Sequence, residues 1–364
     1  MKFFDLLRLD VTLDGLSHLS GRRRTRKALA SGVALAVLFL ASARLPAQGL
    51  EMPSPNPAPA VLATATVDAD ASAVIAQDFD WFDSARQRAV PVRLYLPVQT
   101  GEARTLPLVV FSHGIGGSRL GYSYLGAYWA SQGYASLHLQ HVGSDRSLWS
   151  GNVFSLVGRL QDAARDSEAI ARVGDLRFAL DQVFAHPELG DRIDATRIVA
   201  AGHSYGANTI MLAVGARVER NGSVIDLADS RIQAAILLSA PPFYGDPDVA
   251  KIVANIKVPT LHITSTEDII RVPGYYSGAE DRIAVYEAMS GARKVLAVFE
   301  GGSHSMFTDR SGTGGVAINA LVKAATKELS VAFFRSLFGG SDLALRNWPQ
   351  RHSDIVARFV AGGS

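Results

Sequence analysis

Residues 198–206 read IVAAGHSYG, an apolar, β-rich run that ends in Gly202-His203-Ser204-Tyr205-Gly206. A serine nucleophile at the end of a buried strand needs this pattern. It must project on a sharp, strained turn between strand and helix. A side chain two residues before or after it would collide with a neighbouring element, and glycine at 202 and 206 removes both. The helical pattern that follows, residues 205–217, directs backbone N–H groups and its positive end toward a developing anion. A bare G-x-S-x-G also occurs in ordinary loops. The strand before it and the helix after it favour Ser204 as a nucleophile.

A serine hydroxyl is a weak nucleophile near neutrality. It needs a base, and the base needs an orienting acid. In strand–turn–helix sites of this kind the chain order is serine, acid, histidine. Downstream of Ser204 stand His262, His304 and His352. His262 sits inside the apolar run PTLHITS and reads as a core histidine, while His352 falls in a polar tail. His304 lies in the Gly-rich stretch EGGSHSM just past the apolar run at 295–299, where a base can hang over the serine. For the acid, Thr264-Ser-Thr-Glu-Asp268 follows another apolar run. Asp268 is preferred and Glu267 is the alternative.

Acyl transfer also needs N–H donors aimed at the tetrahedral oxyanion. One should be the amide of Tyr205, next to the serine. The other should come from a loop after an early strand. Residues 111–117, FSHGIGG, form such a loop, and Ile115 N–H is the candidate. His113 precedes the serine and reads as shaping that loop.

Apolar runs at 106–112, 134–139, 198–201, 234–238, 259–264 and 295–299 must position these groups. They are short, as strands buried on both faces are, and 92–96 (VRLYL) alternates like an outer strand. Helical patterns lie between them at 119–132, 160–184, 205–217, 283–289 and 315–338. Such alternation predicts a parallel sheet covered on both faces. The segment between Ser239 and Val258 is too short for a large lid. Arg172, Asp175, Arg177 and Asp181 have the spacing of a solvated, ion-paired helix face. His138 and His141 share a strand without a third ligand, so no metal is expected, and no cofactor. Trp149, Phe154, Phe243, Tyr244, Tyr275, Tyr276, Met306 and Phe307 fall in loops at strand ends and suggest an apolar cleft.

The 364 residues include no cysteine, which excludes disulfides, thiolate catalysis and Cys-ligated zinc. Residues 1–43 carry seven basic and three acidic side chains. The rest of the chain has a net charge of −2 and no basic run for nucleic acid. Residues 22–27 (RRRTRK), a 14-residue apolar run at 28–41 and Ala41-Ser42-Ala43 follow the order of a secretory signal. The run is shorter than the ~20 residues of a membrane span. The reading is therefore a signal peptide over 1–43, a Pro- and Ala-rich spacer over 44–75 and one folded domain over 76–364. The product is exported, periplasmic or secreted, with no membrane span after cleavage. An uncleaved leader acting as an anchor is the alternative, and oligomeric state is left open.

With these residues placed, three stretches resemble bacterial relatives of dienelactone hydrolase and, more closely, plasma-type platelet-activating-factor acetylhydrolases. They are 81–97 (WFDSARQRAVPVRLYLP), 106–145 and the GHSYG elbow. The resemblance implies the α/β-hydrolase fold, with a mostly parallel central sheet, helices on both faces and no large lid. It also implies a serine hydrolase cleaving a small-molecule carboxylic ester through an acyl-enzyme. Acyltransferase, phospholipid acetylhydrolase and peptidase use the same triad and stay open, as does a non-catalytic binding protein on this fold. Two departures matter. Dienelactone hydrolase carries cysteine where Ser204 stands. In the acetylhydrolases the acid follows the preceding strand, which here ends at Ser239-Ala240-Pro241, short of Asp246 and Asp248. The acid is expected one strand later, at Asp268.

Overall fold

The computed structural model describes residues 74–98, 105–243, 248–272, 275–291, 293–309 and 316–362. The expected signal at 1–43, the spacer as far as residue 73, and Asp246 lie outside the described residues.

Strand β1 (Val74–Asp83) pairs antiparallel with β2 (Arg88–Pro97). The alternating run DFDWFD puts Phe79 and Trp81 on the core side, their rings stacked at 5.2 Å, and leaves Asp78 and Asp80 outside. The run 92–96, expected at the sheet's edge, is thus one strand in. The chain continues through β3 (Leu106–Ser112), α1 (Ser123–Ser131), β4 (Ala135–Leu139), α2 (Leu156–Ala163), α3 (Asp166–Ala185), β5 (Ile193–His203) and α4 (Tyr205–Ala213). The hairpin β6 (Arg217–Arg220)–β7 (Ser223–Asp226), β8 (Ile232–Leu238), α5 (Val249–Val253), β9 (Thr260–Glu267) and the hairpin β10 (Ile270–Val272)–β11 (Tyr275–Ser277) follow. Then come α6 (Ala279–Ala288), β12 (Lys294–Ser303), α7 (Val316–Phe338), α8 (Leu343–Arg351) and β13 (Val356–Ala361).

The described strands build one nine-stranded sheet, ordered β1-β2-β4-β3-β5-β8-β9-β12-β13. From β4 to β12 the pairings are parallel, and β1, β2 and β13 close the edges antiparallel. The central strands read as continuous apolar runs because both faces are covered. On β3, Leu108 and Val110 enter the core under α3 and α4, while Val109 and Phe111 enter the core under α1 and α7. The chain leaves β3 for β4 on one side and returns to β5 on the other. The loops after β3 and β5 therefore diverge and open a crevice at the strands' carboxyl ends.

Three expectations differ from this architecture. The helix at 160–184 is two helices, broken between Ala163 and Asp166. The helix from 205 ends at Ala213, because the chain turns through Gly215 (φ 117°) into a hairpin. The polar tail holds α8, anchored by the buried Trp348, and then β13 on the sheet's edge. The indole N–H of Trp348 donates to Ala325 O at 3.0 Å.

Among the described residues three histidines lie on strands of the sheet, His203 at the end of β5 and two within the sheet. His138 on β4 is pulled down to about 4 by burial, and His262 on β9 to about 3. Both are neutral when folded and take a proton when unfolded at pH below about 6.5. The unfolded chain thus binds more protons between roughly pH 3 and 6.5. Stability is complete above 6.5 and falls as pH drops through that window. His262→Gln, which cannot charge, is expected to flatten the unfolding free energy against pH by about 1.4 kcal/mol per pH unit near pH 5. Urea titrations from pH 7 to 4.5 read the slope, and an unchanged slope would contradict a neutral buried His262.

Candidate active site

Ser204 follows β5 directly and holds φ 55°, ψ −121°, a region strained for any L-residue. Its N–H donates to Leu238 O on β8 at 2.9 Å, pinning the turn to the next strand. A Cβ on Gly202 would collide with Gly206 O, and one on Gly206 with the Ser112 carbonyl at the end of β3. The two glycines therefore serve close approach. They let the first turn of α4 sit against β3 and β5 with Ser204 at the apex.

The loop after β12 carries His304. Gly301 (φ 65°) and Gly302 (φ 84°), in the last residues of β12, turn the chain into it through left-handed backbone. His304 Nε2 lies 2.8 Å from Ser204 Oγ, and His304 Nδ1 lies 2.7 Å from Asp268 Oδ1. A carboxylate only accepts, so Nδ1–H donates to Asp268 and Nε2 accepts from the serine hydroxyl. Asp268 directly follows β9 and is fully buried. Its second oxygen accepts from Thr264 Oγ1 at 2.7 Å, and Arg282 Nε lies 3.6 Å from Oδ1. Burial pushes this carboxyl up. The hydrogen bond and charge of His304, with the Arg282 guanidinium, outweigh burial and hold it well below the usual carboxylate range. Glu267 is exposed and Asp248 caps α5, so neither joins the cluster. His262 is buried in β9, and His352 bonds Glu328 at 3.0 Å.

The loop after β3 passes directly over the elbow: a Cβ on Gly114 would lie 3.4 Å from Ser204 Cβ. Its own hydrogen bonds use Gly116 N–H to Ser144 O (2.8 Å) and Gly117 N–H to Gly114 O (3.0 Å). The amides of Ile115 and Tyr205 are outside these bonds. His113 is fully buried. It donates from Nδ1 to Gly114 O (2.7 Å) and accepts at Nε2 from His141 N–H (3.1 Å). Trp149, half-exposed, covers this loop, its indole N–H donating to Gly116 O at 2.9 Å. Met306 and Phe307, expected in the cleft, are core residues with no exposure. Phe154 is almost fully exposed, and Tyr244 lies outside the described residues.

Sequence reasoning missed two groups. Inside the elbow motif, His203 accepts from Tyr122 O–H at Nδ1 (2.8 Å) and donates from Nε2 to His304 O (2.9 Å). Burial, followed by the charge of His304, pulls His203 down to about 3, so it stays neutral and holds the His304 loop by its backbone. Second, Arg172 and Asp175 are fully buried, against the expectation of a solvated face. Arg177 and Asp181 do face outward, bonding Ala228 O and Arg231. Asp175 Oδ2 accepts from His141 Nδ1 (3.0 Å), whose Nε2 accepts from Ser112 Oγ (2.9 Å). Among the described residues no cluster of His, Cys, Asp or Glu could hold a metal ion.

The strand order and the elbow turn define an α/β-hydrolase fold. The solved structure of a ferulic acid esterase from Streptomyces cinnamoneus superposes with a TM-score of 0.60 at 21% identity, covering 82% of this chain and 99% of that one. Residues 83–155 match the family model described as platelet-activating factor acetylhydrolase, isoform II. The chain is 26% identical to the platelet-activating factor acetylhydrolase of Cavia porcellus over 157 residues, 34% of each chain. It is 28% identical to that of Canis lupus familiaris over 156 residues, 34% of this chain and 35% of the relative. The match spans about a third of the length of these curated relatives.

The contact at Gly206 generates a test. Gly206→Ala must displace the β3 backbone or α4. The variant is expected to lose several kcal/mol of stability, about the upper range for single changes, or to fail to fold. Circular dichroism and urea unfolding decide; a variant as stable as the parent would mean that α4 does not sit this close to β3.

Proposed function

We propose that the chain is a serine hydrolase acting on carboxylic esters. The observation that carries this reading is the hydrogen-bonded run from Ser204 Oγ through His304 to buried Asp268, at a strained strand–helix turn. The fold and the likeness to acetylhydrolases and an esterase support it. In this reading Ser204 Oγ attacks the ester carbonyl carbon as His304 Nε2 takes its proton. The oxyanion accepts from Ile115 and Tyr205 N–H. Collapse breaks the bond to the alkoxy oxygen, which leaves as alcohol with the proton from His304. Water, activated by the same base, then releases the acid and restores the serine. Asp268 keeps the base in the Nδ1–H tautomer and stabilises its charged form.

The substrate we propose is a moderately sized, accessible ester, because the chain between β8 and β9 has no room for a large lid. A second reading, hydrolysis of a phospholipid's short acyl ester, is favoured by the family match over 83–155. A panel of p-nitrophenyl esters and short-chain phospholipids separates the two.

Ser204→Ala is expected to abolish fluorophosphonate labelling and ester turnover with unchanged circular dichroism. Asp268→Asn should cost turnover up to about 10⁴-fold, as the corresponding serine-protease change does, while Glu267→Gln stays near the parent. Labelling that survives Ser204→Ala, or sensitivity at Glu267 instead of Asp268, would overturn the assignment.

We further propose that the protein is exported, with the leader cleaved near Ala43. Among the described residues no helix is long and apolar enough to cross a membrane. N-terminal sequencing after expression in a bacterial host should find a mature start near Arg44. A full-length cytoplasmic product would count against export.

A further inference from the structure

Arg172 on α3 is fully buried, yet directly or through one partner it bonds both backbone segments of the proposed oxyanion site. Its Nη2 donates to Ser112 Oγ at 3.0 Å and to His113 O, at the root of the loop that carries Ile115. Its Nη1 donates to Ser144 Oγ at 2.9 Å, and the carbonyl of Ser144 accepts from Gly116 N–H at 2.8 Å. On the other side its Nε donates to Thr209 Oγ1 at 2.9 Å, and Thr209 Oγ1–H donates to Tyr205 O at 3.0 Å. The guanidinium carbon lies 4.5 Å from the centre of the Tyr205 ring. One rigid, planar cation thus spans the two backbone segments, residues 112–117 and 204–209, whose amides would face the oxyanion.

The surroundings fix the cation in turn. Ser144 Oγ–H donates to Glu168 Oε1 at 2.7 Å, and Ser112 Oγ–H donates to His141, which Asp175 orients. Each hydroxyl that accepts from Arg172 gives its proton to a further acceptor, so donors and acceptors match without a free choice of orientation. Lysine could not reproduce this: it presents a point charge in place of a planar fork.

We infer that Arg172 is a positioning residue of the oxyanion hole, setting the distance between the Ile115 and Tyr205 amides. The inference rests on the proposed esterase reading. Removing one oxyanion donor outright costs about 10²–10³ in turnover. Arg172→Met is expected to lower kcat by about 10²-fold, with KM within a few-fold of the parent. Thr209→Val, which breaks one link, should lower kcat by about tenfold, the worth of a charge-assisted hydrogen bond. Arg177→Met, on the same helix but facing outward, is the control.

The readout that separates positioning from simple support of the fold is affinity for a boronic acid, whose adduct with the serine is tetrahedral and charged. Affinity should fall in proportion to kcat/KM across the variants, while thermal unfolding need not track it. If Arg172→Met does not fold, Arg172→Lys and Thr209→Val carry the same comparison. Folded variants that keep kcat within about threefold of the parent, or lose kcat without losing boronate affinity, overturn the inference alone. A parent that is neither labelled by a fluorophosphonate at Ser204 nor active on any ester overturns the esterase reading, and this inference with it.

Discussion

The first turn of α4 lies so close to the end of β3 that no side chain fits at Gly206. That approach ties three strands and a helix together at one point. It holds Ser204 at a positive φ that costs about 1–3 kcal/mol. The strain persists because neighbours over-determine it: Ser204 N–H is held by Leu238 O, and Gly202 leaves space only for the backbone of Gly206. Because the pairings from β4 to β12 are parallel, the carboxyl ends of β3, β5, β9 and β12 share one edge of the sheet. The loop over the elbow, Ser204, Asp268 and His304 arrive there from four different strands. None is near another in sequence, and the sheet brings them to one edge.

The molecule contains two Ser–His–Asp runs with the same connectivity. In one, Ser204, His304 and Asp268 are joined at 2.8 and 2.7 Å; in the other, Ser112, His141 and Asp175 are joined at 2.9 and 3.0 Å. Distances do not separate them. Ser112 is fully buried on a regular strand, and its oxygen already accepts from Arg172. It has no path to a substrate and no lone pair aimed at one. Ser204 stands on a strained turn at a helix N-terminus with backbone amides beside it. A triad is defined by strain, access and donors around the serine as much as by the hydrogen bonds behind it. The buried run is a joint: it locks the end of β3, the chain after β4 and α3 into one arrangement.

The same contrast explains what was legible in the sequence. The elbow could be read because its glycines and its strand–helix context are local. The grouping of Asp268 and His304 beside Ser204 could be anticipated because the chain order and the apolar run before each narrow the choice to a few residues. Arg172 and Asp175 could not. Their spacing of three is that of an exposed ion pair, and only the packing of α3 on β2 and β4 shows that they are interior. Their partners, Arg88 for Asp175 and Ser112 for Arg172, stand far away in the chain. His203 was hidden in the motif itself, as the residue that precedes the serine. Strand β1 was missed because its alternation of aspartate with aromatic residues has the low mean hydropathy of an edge strand.

The buried charges tie these observations together. Arg86, Arg88 and Arg172 meet Asp83, Glu168 and Asp175, three cations against three anions. Desolvating such a cluster costs much of what its attraction returns, so a large net gain in stability is not its main effect. Its effect is geometric. Arg86 and Arg88 bind the turn and second strand of the first hairpin to α3, and α3 presents Arg172 to the loop over Ser204. The match to the acetylhydrolase family model, residues 83–155, contains the turn and second strand of this hairpin, the loop at 112–117 and Ser144, and it stops before α3, Ser204, Asp268 and His304. Asp268 follows β9 directly, while β8 ends at Leu238 and the next residue, Ser239, with φ 49°, turns the chain aside with no carboxylate there. His304 needs only an oxygen within hydrogen-bond reach of Nδ1, and Asp268 supplies it at 2.7 Å. Neighbouring parallel strands end about 4.8 Å apart, close enough for either to supply it.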